Sequence, residues 1–362
     1  MIDDRIRRHI LDLEPYEPII PLDVLSKKMG VPIEILVKLD ANENPYGMPP
    51  RATERLANLE YGHIYPDPES RQLREKLSQV FNMPIENILA GAGADELIDL
   101  IVRLTMDPGD KLINCPPTFG FYDAVAQVND LQIINIRRNL DFSINIPKIM
   151  EAAQAGAKII FLANPNNPDG SILAKSDLNK LLNLPLIVVI DEAYVEFAPQ
   201  GTSLYREVLK RDNLIVLRTF SKWGGLAGMR LGYGFFPKDL LQQLMKIKQP
   251  YNVSLGASEA GLGALEDIEL LNMRKDWILA ERSRLFTGLK SFNWISPYPT
   301  QSNFILCRII GQDAAELKEN LADRGILIRY FRKKGLEDHV RFSVGKPQDT
   351  DKLLDALKEL SK

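Results

Sequence analysis

Apolar positions along this chain keep two rhythms, and each predicts a different kind of element. Short, nearly unbroken apolar runs such as Ile159-Ile160-Phe161-Leu162 and Leu186-Ile187-Val188-Val189-Ile190 suit strands buried on both faces. On this basis strands are expected at 111–114, 131–136, 158–163, 186–190, 213–218 and 230–236, with helices between most of them. That alternation predicts an α/β fold around a mostly parallel sheet. From Glu69 to Phe81 the apolar spacing is helical, and a further helix is expected from Asp95 to Met106. A long helical stretch from about Leu255 to Ser291 leads out of this unit. Beyond it, 303–306, 326–329 and 340–343 read as strands, with helices near 312–323 and 348–361, which makes a smaller α+β unit. The chain starts with an arm: a short amphipathic helix through about Leu13, then a proline-punctuated stretch from Pro15 to Pro21. The expected division is an arm of 1–45 that contributes to the small domain, a large domain of 46–275 and a small domain of 276–362.

Chemistry-bearing residues collect where the predicted strands end. After the strand at 213–218 comes Thr219-Phe220-Ser221-Lys222-Trp223-Gly224-Gly225, with Arg230 eight residues beyond the lysine. Lys222 can form a Schiff base with an aldehyde, Thr219 and Ser221 can donate to a phosphate, and Arg230 can neutralise it. Pyridoxal 5'-phosphate combines those two groups. After the strand at 158–163 comes Asn164-Pro165-Asn166-Asn167-Pro168-Asp169-Gly170, a stiff turn able to aim an amide. The strand at 186–190 runs into Asp191, with Tyr194 three residues later. An acid there lies in the usual ligand crevice of a parallel sheet. It can pair with a protonated pyridine nitrogen, while Tyr194 and Asn167 hydrogen-bond the ring oxygen. Each part alone is commonplace, because lysines flank many glycine turns and strand-end aspartates often cap helices. Their order at successive strand ends makes the case.

The turn Gly91-Ala92-Gly93-Ala94-Asp95-Glu96 resembles part of a dinucleotide fingerprint, but Glu96 stands where the third glycine belongs. A dinucleotide dehydrogenase would also leave the lysine constellation without a role. The better reading has the N–H groups of Ala92, Gly93, Ala94 and Asp95 opening the following helix toward the cofactor phosphate.

Further stretches complete a pattern: Asp40-Ala41-Asn42-Glu43-Asn44-Pro45-Tyr46-Gly47, Tyr65-Pro66-Asp67-Pro68, Pro116-Pro117-Thr118-Phe119-Gly120, Gln301-Ser302-Asn303-Phe304 and Val340-Arg341-Phe342-Ser343-Val344-Gly345. With these the chain resembles fold-type I pyridoxal-phosphate-dependent aminotransferases of the aspartate aminotransferase superfamily, and among them the histidinol-phosphate aminotransferase family. The resemblance spans nearly the whole chain. It implies a homodimer with shared active sites, to which the arm contributes contacts and in which Tyr65 reaches the cofactor phosphate of the partner subunit. Lys222, Asp191 and Tyr194 become the catalytic residues, with the freed Lys222 amine as the proton-moving base. Phe119 would stack on the cofactor ring where relatives commonly carry tyrosine, so the hydroxyl's hydrogen bond is absent here. Asp169 replaces the usual threonine and is expected to point to solvent.

The resemblance also suggests the substrates. Arg341 matches the arginine that grips the substrate carboxylate, and Arg329 is a second cation suited to a phosphate monoester. Paired arginines can serve the carboxylates of glutamate or 2-oxoglutarate and the phosphate of histidinol phosphate in turn. Asn167 is expected to bind substrate as well, and Tyr46 and Tyr16 are expected to close over the phosphate. An aromatic or broad-specificity aminotransferase, a phosphothreonine decarboxylase and a non-catalytic cofactor-binding regulator are the other readings. The intact Lys222 weighs against the last.

Composition narrows little. A length of 362 residues with 45% hydrophobic and 26% charged positions is ordinary for a globular enzyme, and the formal net charge of -3 argues for neither nucleic acid nor a membrane surface as partner. Neither a signal-peptide core nor a spanning run is visible, so a cytoplasmic location is expected. Cys115 and Cys307 read as reduced thiols, and three histidines make a metal site unexpected.

Overall fold

The computed structural model of the chain describes residues 5–14 and 20–361. Before the helices Leu255–Glu266 and Ile268–Lys290 come β1 (Val37–Leu39), β2 (Ile88–Gly91), β3 (Lys111–Asn114), β4 (Gln132–Asn135), β5 (Ala157–Ala163), β6 (Ile187–Asp191), β7 (Leu214–Thr219) and β8 (Gly232–Phe235). After them come β9 (Ile295–Pro297), β10 (Phe304–Ile309), β11 (Ile326–Tyr330) and β12 (His339–Ser343). The described strands form a seven-stranded sheet ordered β2-β8-β7-β6-β5-β3-β4 and a five-stranded sheet ordered β1-β11-β12-β10-β9. In the larger one β3 to β7 run parallel, and β8 opposes both neighbours.

The unbroken apolar runs are explained by burial on both faces. Ile160, Leu162, Val188, Ile190 and Val216 belong to one core, while Ile159, Phe161, Val189, Ile215 and Leu217 belong to a second on the opposite face. Alternate side chains of one strand therefore feed different cores. Register then aligns the strand ends: Ala163 pairs with Asp191, and Asp191 with Leu217. The loops that follow open on one side of the sheet, where an open parallel sheet holds its ligand.

Three strands were not predicted from the sequence. β2 contains only Ile88-Leu89-Ala90-Gly91, and alanine and glycine carry little strand signal. β1 forms by parallel pairing with β11, a partner far along the chain that no local pattern reveals. β9 is likewise short and lies on an edge. The long helical stretch is two helices, Leu255–Glu266 and Ile268–Lys290. Between them the Asp267 carboxylate accepts the Arg51 N–H at 2.8 Å. The position between 275 and 276 lies inside the second, unbroken helix.

Candidate active site

A cleft of about 990 Å³ opens beside the carboxyl ends of the parallel strands, and the last residues of β3, β5, β6 and β7, Asn114, Ala163, Asp191 and Thr219, all line it. Arg329 of β11 and Arg341 of β12 line it from the smaller sheet. Lys222 stands on the turn after β7. At Gly225, with φ +67°, a Cβ would lie 2.5 Å from the Gly47 carbonyl oxygen, so only glycine lets the 41–47 loop close onto this turn. That closure puts the Ala41 carbonyl 2.8 Å from Lys222 Nζ, which donates to it. Burial, reinforced by the Arg341 charge, lowers the lysine to about 8, so the neutral amine is far more populated near neutral pH than in an exposed lysine, although the charged form still dominates.

Asp191 is buried at the end of β6. Its Oδ2 accepts the Tyr122 hydroxyl at 2.7 Å and its Oδ1 accepts the Ala193 N–H at 3.1 Å. Burial raises the carboxyl to about 6, and the Tyr122 hydrogen bond holds it from rising further. Tyr122 is itself fully buried, stacked on Phe161 with ring centroids 5.3 Å apart. Phe119 lines the cleft and meets Tyr122 edge-on at 5.5 Å. The Tyr194 hydroxyl accepts Asn42 Nδ2 at 3.1 Å. Asn42 is fixed in turn by hydrogen bonds with Ser343 and Asn303. Directly after Asp191, the fully buried Glu192 pairs with Arg218 at 3.0 Å and accepts Ser203 Oγ and the Leu204 N–H. With its hydrogen bonds made, this pair pins the ends of β6 and β7 together.

The far end of the cleft suits an anion. Ala94 opens the helix Ala94–Thr105, whose first N–H groups have no intrahelical acceptor. Thr219 and Ser221 are buried and joined Oγ1 to Oγ at 2.9 Å. Arg230 lies beside them, its Nη2 donating to Asp95 at 2.7 Å. At Gly93, with φ +87°, a Cβ would stand 2.7 Å from that same Nη2, so any side chain there would displace the guanidinium. The Arg230–Asp95 pair is half-exposed, which makes it worth about 0–1 kcal/mol and easily rearranged around an incoming anion. Ala92 and Gly93 do not supply amides as expected. Glu96 takes the Ala92 N–H at 2.6 Å and the Gly91 carbonyl takes that of Gly93 at 2.8 Å, which leaves Ala94 and Asp95 to face the cleft.

Arg341 is buried, donating to Asn167 Oδ1 at 2.6 Å and to the Asp40 carbonyl at 2.7 Å. Arg329 is its register partner on the neighbouring strand. Both guanidinium carbons stand 5.8 Å from the Phe331 ring centroid, so two cations adjoin one aromatic ring. Among the described residues no carboxylate lies within ion-pairing distance of Arg329.

Four further expectations concern aromatic and acidic side chains. Tyr46 does not line the cleft: its ring packs on Trp277 at 5.1 Å, with the Lys346 ammonium over it, because the 41–47 loop turns it toward the helix Ile268–Lys290. Tyr16 lies outside the described residues. Tyr65 does not line the cleft of its own chain; it is 79% exposed and stacked on Tyr251 at 4.5 Å. Asp169 does not face solvent. It is 1% exposed, accepting Asn166 Nδ2 and the Ser171 N–H, with the buried Arg138 as the nearby positive charge. Sequence reasoning missed Tyr122, Asn42 and Ala41. Asn42 and Ala41 lay inside a stretch already singled out, whereas nothing local marks Tyr122.

A histidinol-phosphate aminotransferase of Nicotiana plumbaginifolia, described as chloroplastic, is 50% identical over 98% of this chain and 86% of its own length. A histidinol-phosphate aminotransferase of Roseiflexus castenholzii is 47% identical over 98% of each. The crystal structure of histidinol-phosphate aminotransferase from Sinorhizobium meliloti, in complex with pyridoxal-5'-phosphate, superposes with a TM-score of 0.90 at 27% identity, covering 99% of this chain and 97% of that one. Residues 34–357 match the model of the family described as aminotransferase class I and II. The chain belongs to the class I and II aminotransferases.

Proposed function

We propose that this chain transfers the amino group of histidinol phosphate to 2-oxoglutarate, giving imidazole acetol phosphate and glutamate, as a step of histidine biosynthesis. One observation carries the substrate reading: Arg329 and Arg341 stand in register on adjacent strands of the cleft that also holds Lys222. Two guanidinium groups suit a tetrahedral phosphate dianion and, in the other half-reaction, a second carboxylate. The names of the relatives support the same substrate.

The donor set fits pyridoxal 5'-phosphate. A lysine with a lowered pKa faces the cleft, a buried carboxylate ends β6, and small hydroxyls, helix amides and Arg230 gather at one end. When bound, the coenzyme supplies an electron sink for a substrate carbanion. Lys222 would hold it covalently, and its freed amine would move the proton at the amino-bearing carbon, a role typically worth about 10²–10⁴-fold. Asp191 would keep a negative charge near the pyridine nitrogen, and Tyr194 and Asn167 would hydrogen-bond the ring oxygen. Phe119 would pack on the ring. Thr219, Ser221, Arg230 and the amides of Ala94 and Asp95 would hold the phosphate.

The proposal includes a homodimer in which Tyr65 serves the partner's phosphate site, consistent with its exposure outside its own cleft. It also includes a coenzyme-binding domain around the larger sheet and a small domain around the lesser one. Among the described residues no helix is long and apolar enough to cross a membrane. The cytoplasmic location expected from the sequence stays part of the proposal, and the chloroplast name of the plant relative sets the alternative compartment.

Arg329→Gln tests the substrate class. Losing one charge-assisted contact, about 1.5–3 kcal/mol, should lower kcat/KM for histidinol phosphate about 10- to 150-fold. Glutamate should lose less, because Arg341 remains. Equal losses for both substrates, or none for histidinol phosphate, would favour a broad-specificity aminotransferase.

A further inference from the structure

Behind the anion end of the cleft runs a chain of hydrogen bonds that the roles above do not use. Glu96 Oε2 accepts both the Ala92 N–H at 2.6 Å and Asn252 Nδ2 at 2.7 Å. Asn252 Oδ1 accepts Lys248 Nζ at 2.9 Å. Lys248, a buried lysine just after the helix Lys238–Ile247, donates as well to the Pro68 carbonyl at 2.8 Å. Pro68 closes the Tyr65-Pro66-Asp67-Pro68 loop. Between Lys248 and Asn252 lies Tyr251, and its ring is the one on which Tyr65 stacks. The segment 248–252 therefore grips the Tyr65 loop twice, at the Tyr65 ring and at the Pro68 carbonyl. Through Glu96 it also grips the turn that leads into the helix at Ala94.

Saturated hydrogen bonding gives this connection stiffness. Lys248 has a backbone or side-chain acceptor for each of its three N–H bonds, at Pro68, Gln249 and Asn252. The half-buried Asn252 uses its oxygen toward Lys248 and its nitrogen toward Glu96 and the Ala90 carbonyl, so a shift would leave the buried Lys248 short of one acceptor. Nothing in the chemistry of transamination asks for a lysine here. What the segment joins is a loop whose aromatic tip points out of its own subunit to a turn that shapes its own anion site.

We propose that residues 248–252 form a positioning bridge, which sets Tyr65 for the partner's coenzyme phosphate according to the state of the Ala92–Asp95 turn in its own subunit. Lys248 and Asn252 are thus positioning residues that act through Tyr65, and the two sites of a dimer are coupled by a path of direct contacts. This inference rests on the shared-site dimer proposed above.

Mixed dimers test it. One subunit is left unaltered and its partner carries Lys222→Ala, so that coenzyme and borohydride label only the unaltered subunit's Lys222. Asn252→Leu is then added to the Lys222→Ala subunit alone. The coenzyme concentration giving half-labelling in the unaltered subunit should rise about 2- to 10-fold, the loss expected for one hydrogen bond. Lys248→Met in the same subunit should act likewise, and it decides the matter if Asn252→Leu fails to fold. In coenzyme-free homodimers either variant should speed hydrogen exchange at 61–68 and 91–96 together, as a mere local defect would not. An unmoved half-labelling concentration overturns the bridge. Tyr65→Phe in the Lys222→Ala subunit separates the two readings: if it too changes nothing, the shared site falls and the bridge with it. If it shifts labelling while the bridge variants do not, only the bridge falls.

Discussion

Tyr122→Phe removes a single oxygen from the structure and leaves the stacking on Phe161 in place. That oxygen is the hydroxyl donor 2.7 Å from Asp191 Oδ2, in a position without solvent access. A hydrogen bond to a charged acceptor is worth about 1.5–3 kcal/mol. Because the bond stabilises the carboxylate and not the acid, its loss appears as a raised pKa. At 1.36 kcal/mol per unit, Asp191 should move up about 1–2 units from its starting point of about 6. The sign for coenzyme binding follows. In the proposed role the charged form of Asp191 would meet the protonated pyridine, so affinity should be full above the carboxyl's pKa and fall as pH drops through it. In the wild type that acid limb should lie near 6, and in Tyr122→Phe it should lie near or above neutrality. The assay is a titration of apoenzyme with pyridoxal 5'-phosphate at pH 5 to 9, followed by the coenzyme's visible absorbance. Thermal midpoints taken in parallel check that the fold is intact. An acid limb unmoved by the substitution would refute the reasoning, because Tyr122 would then not be setting the charge on Asp191.

Substitutions at two other positions examine separate parts of the site. Lys222→Ala should bind the coenzyme without a borohydride-stable link and lose multiple-turnover transamination; turnover near the wild-type level would remove the lysine from its role. Asp169→Ala strands the Ser171 N–H and one N–H of the Asn166 amide, whose other partners are Pro117 and Thr118, and leaves the buried Arg138 without its nearby negative charge, so urea unfolding should show a loss of at least about 2 kcal/mol. Asp169→Asn, which keeps an acceptor for Ser171, should lose less, and equal stability of Asp169→Ala and wild type would mean that the turn is held by other contacts.

Wherever a residue's role depends on strand order, the sequence was informative. Asp191, Thr219, Ser221 and Lys222 lie at or just past the ends of strands whose apolar runs were unmistakable, and parallel pairing brings such ends to one edge. The Asn-Pro turn was legible for the same reason. Arg329 and Arg341 were identifiable as candidates, although their partnership depends on antiparallel register between β11 and β12. Side-chain direction within irregular segments was not legible. Tyr46 and Asn42 occupy one short stretch, yet Asn42 holds Tyr194 while Tyr46 faces Trp277. Asp169 was expected in solvent because an acid in a turn usually is, but Arg138, which lies on another loop, supplies a buried positive charge close by.

The sequence by itself therefore determined the layered α/β architecture, the positions of the strand ends and the reactive groups they carry. These follow from apolar periodicity and from chemical type, which are local properties of the chain. Tertiary structure alone decided which groups meet: Tyr122 with Asp191, Ala41 with Lys222, Glu96 with Ala92 and Asn252. Each of those contacts joins segments through directional hydrogen bonds in places shut off from water. Their geometry is fixed by the packing of the surrounding elements, and no pattern within one segment encodes it.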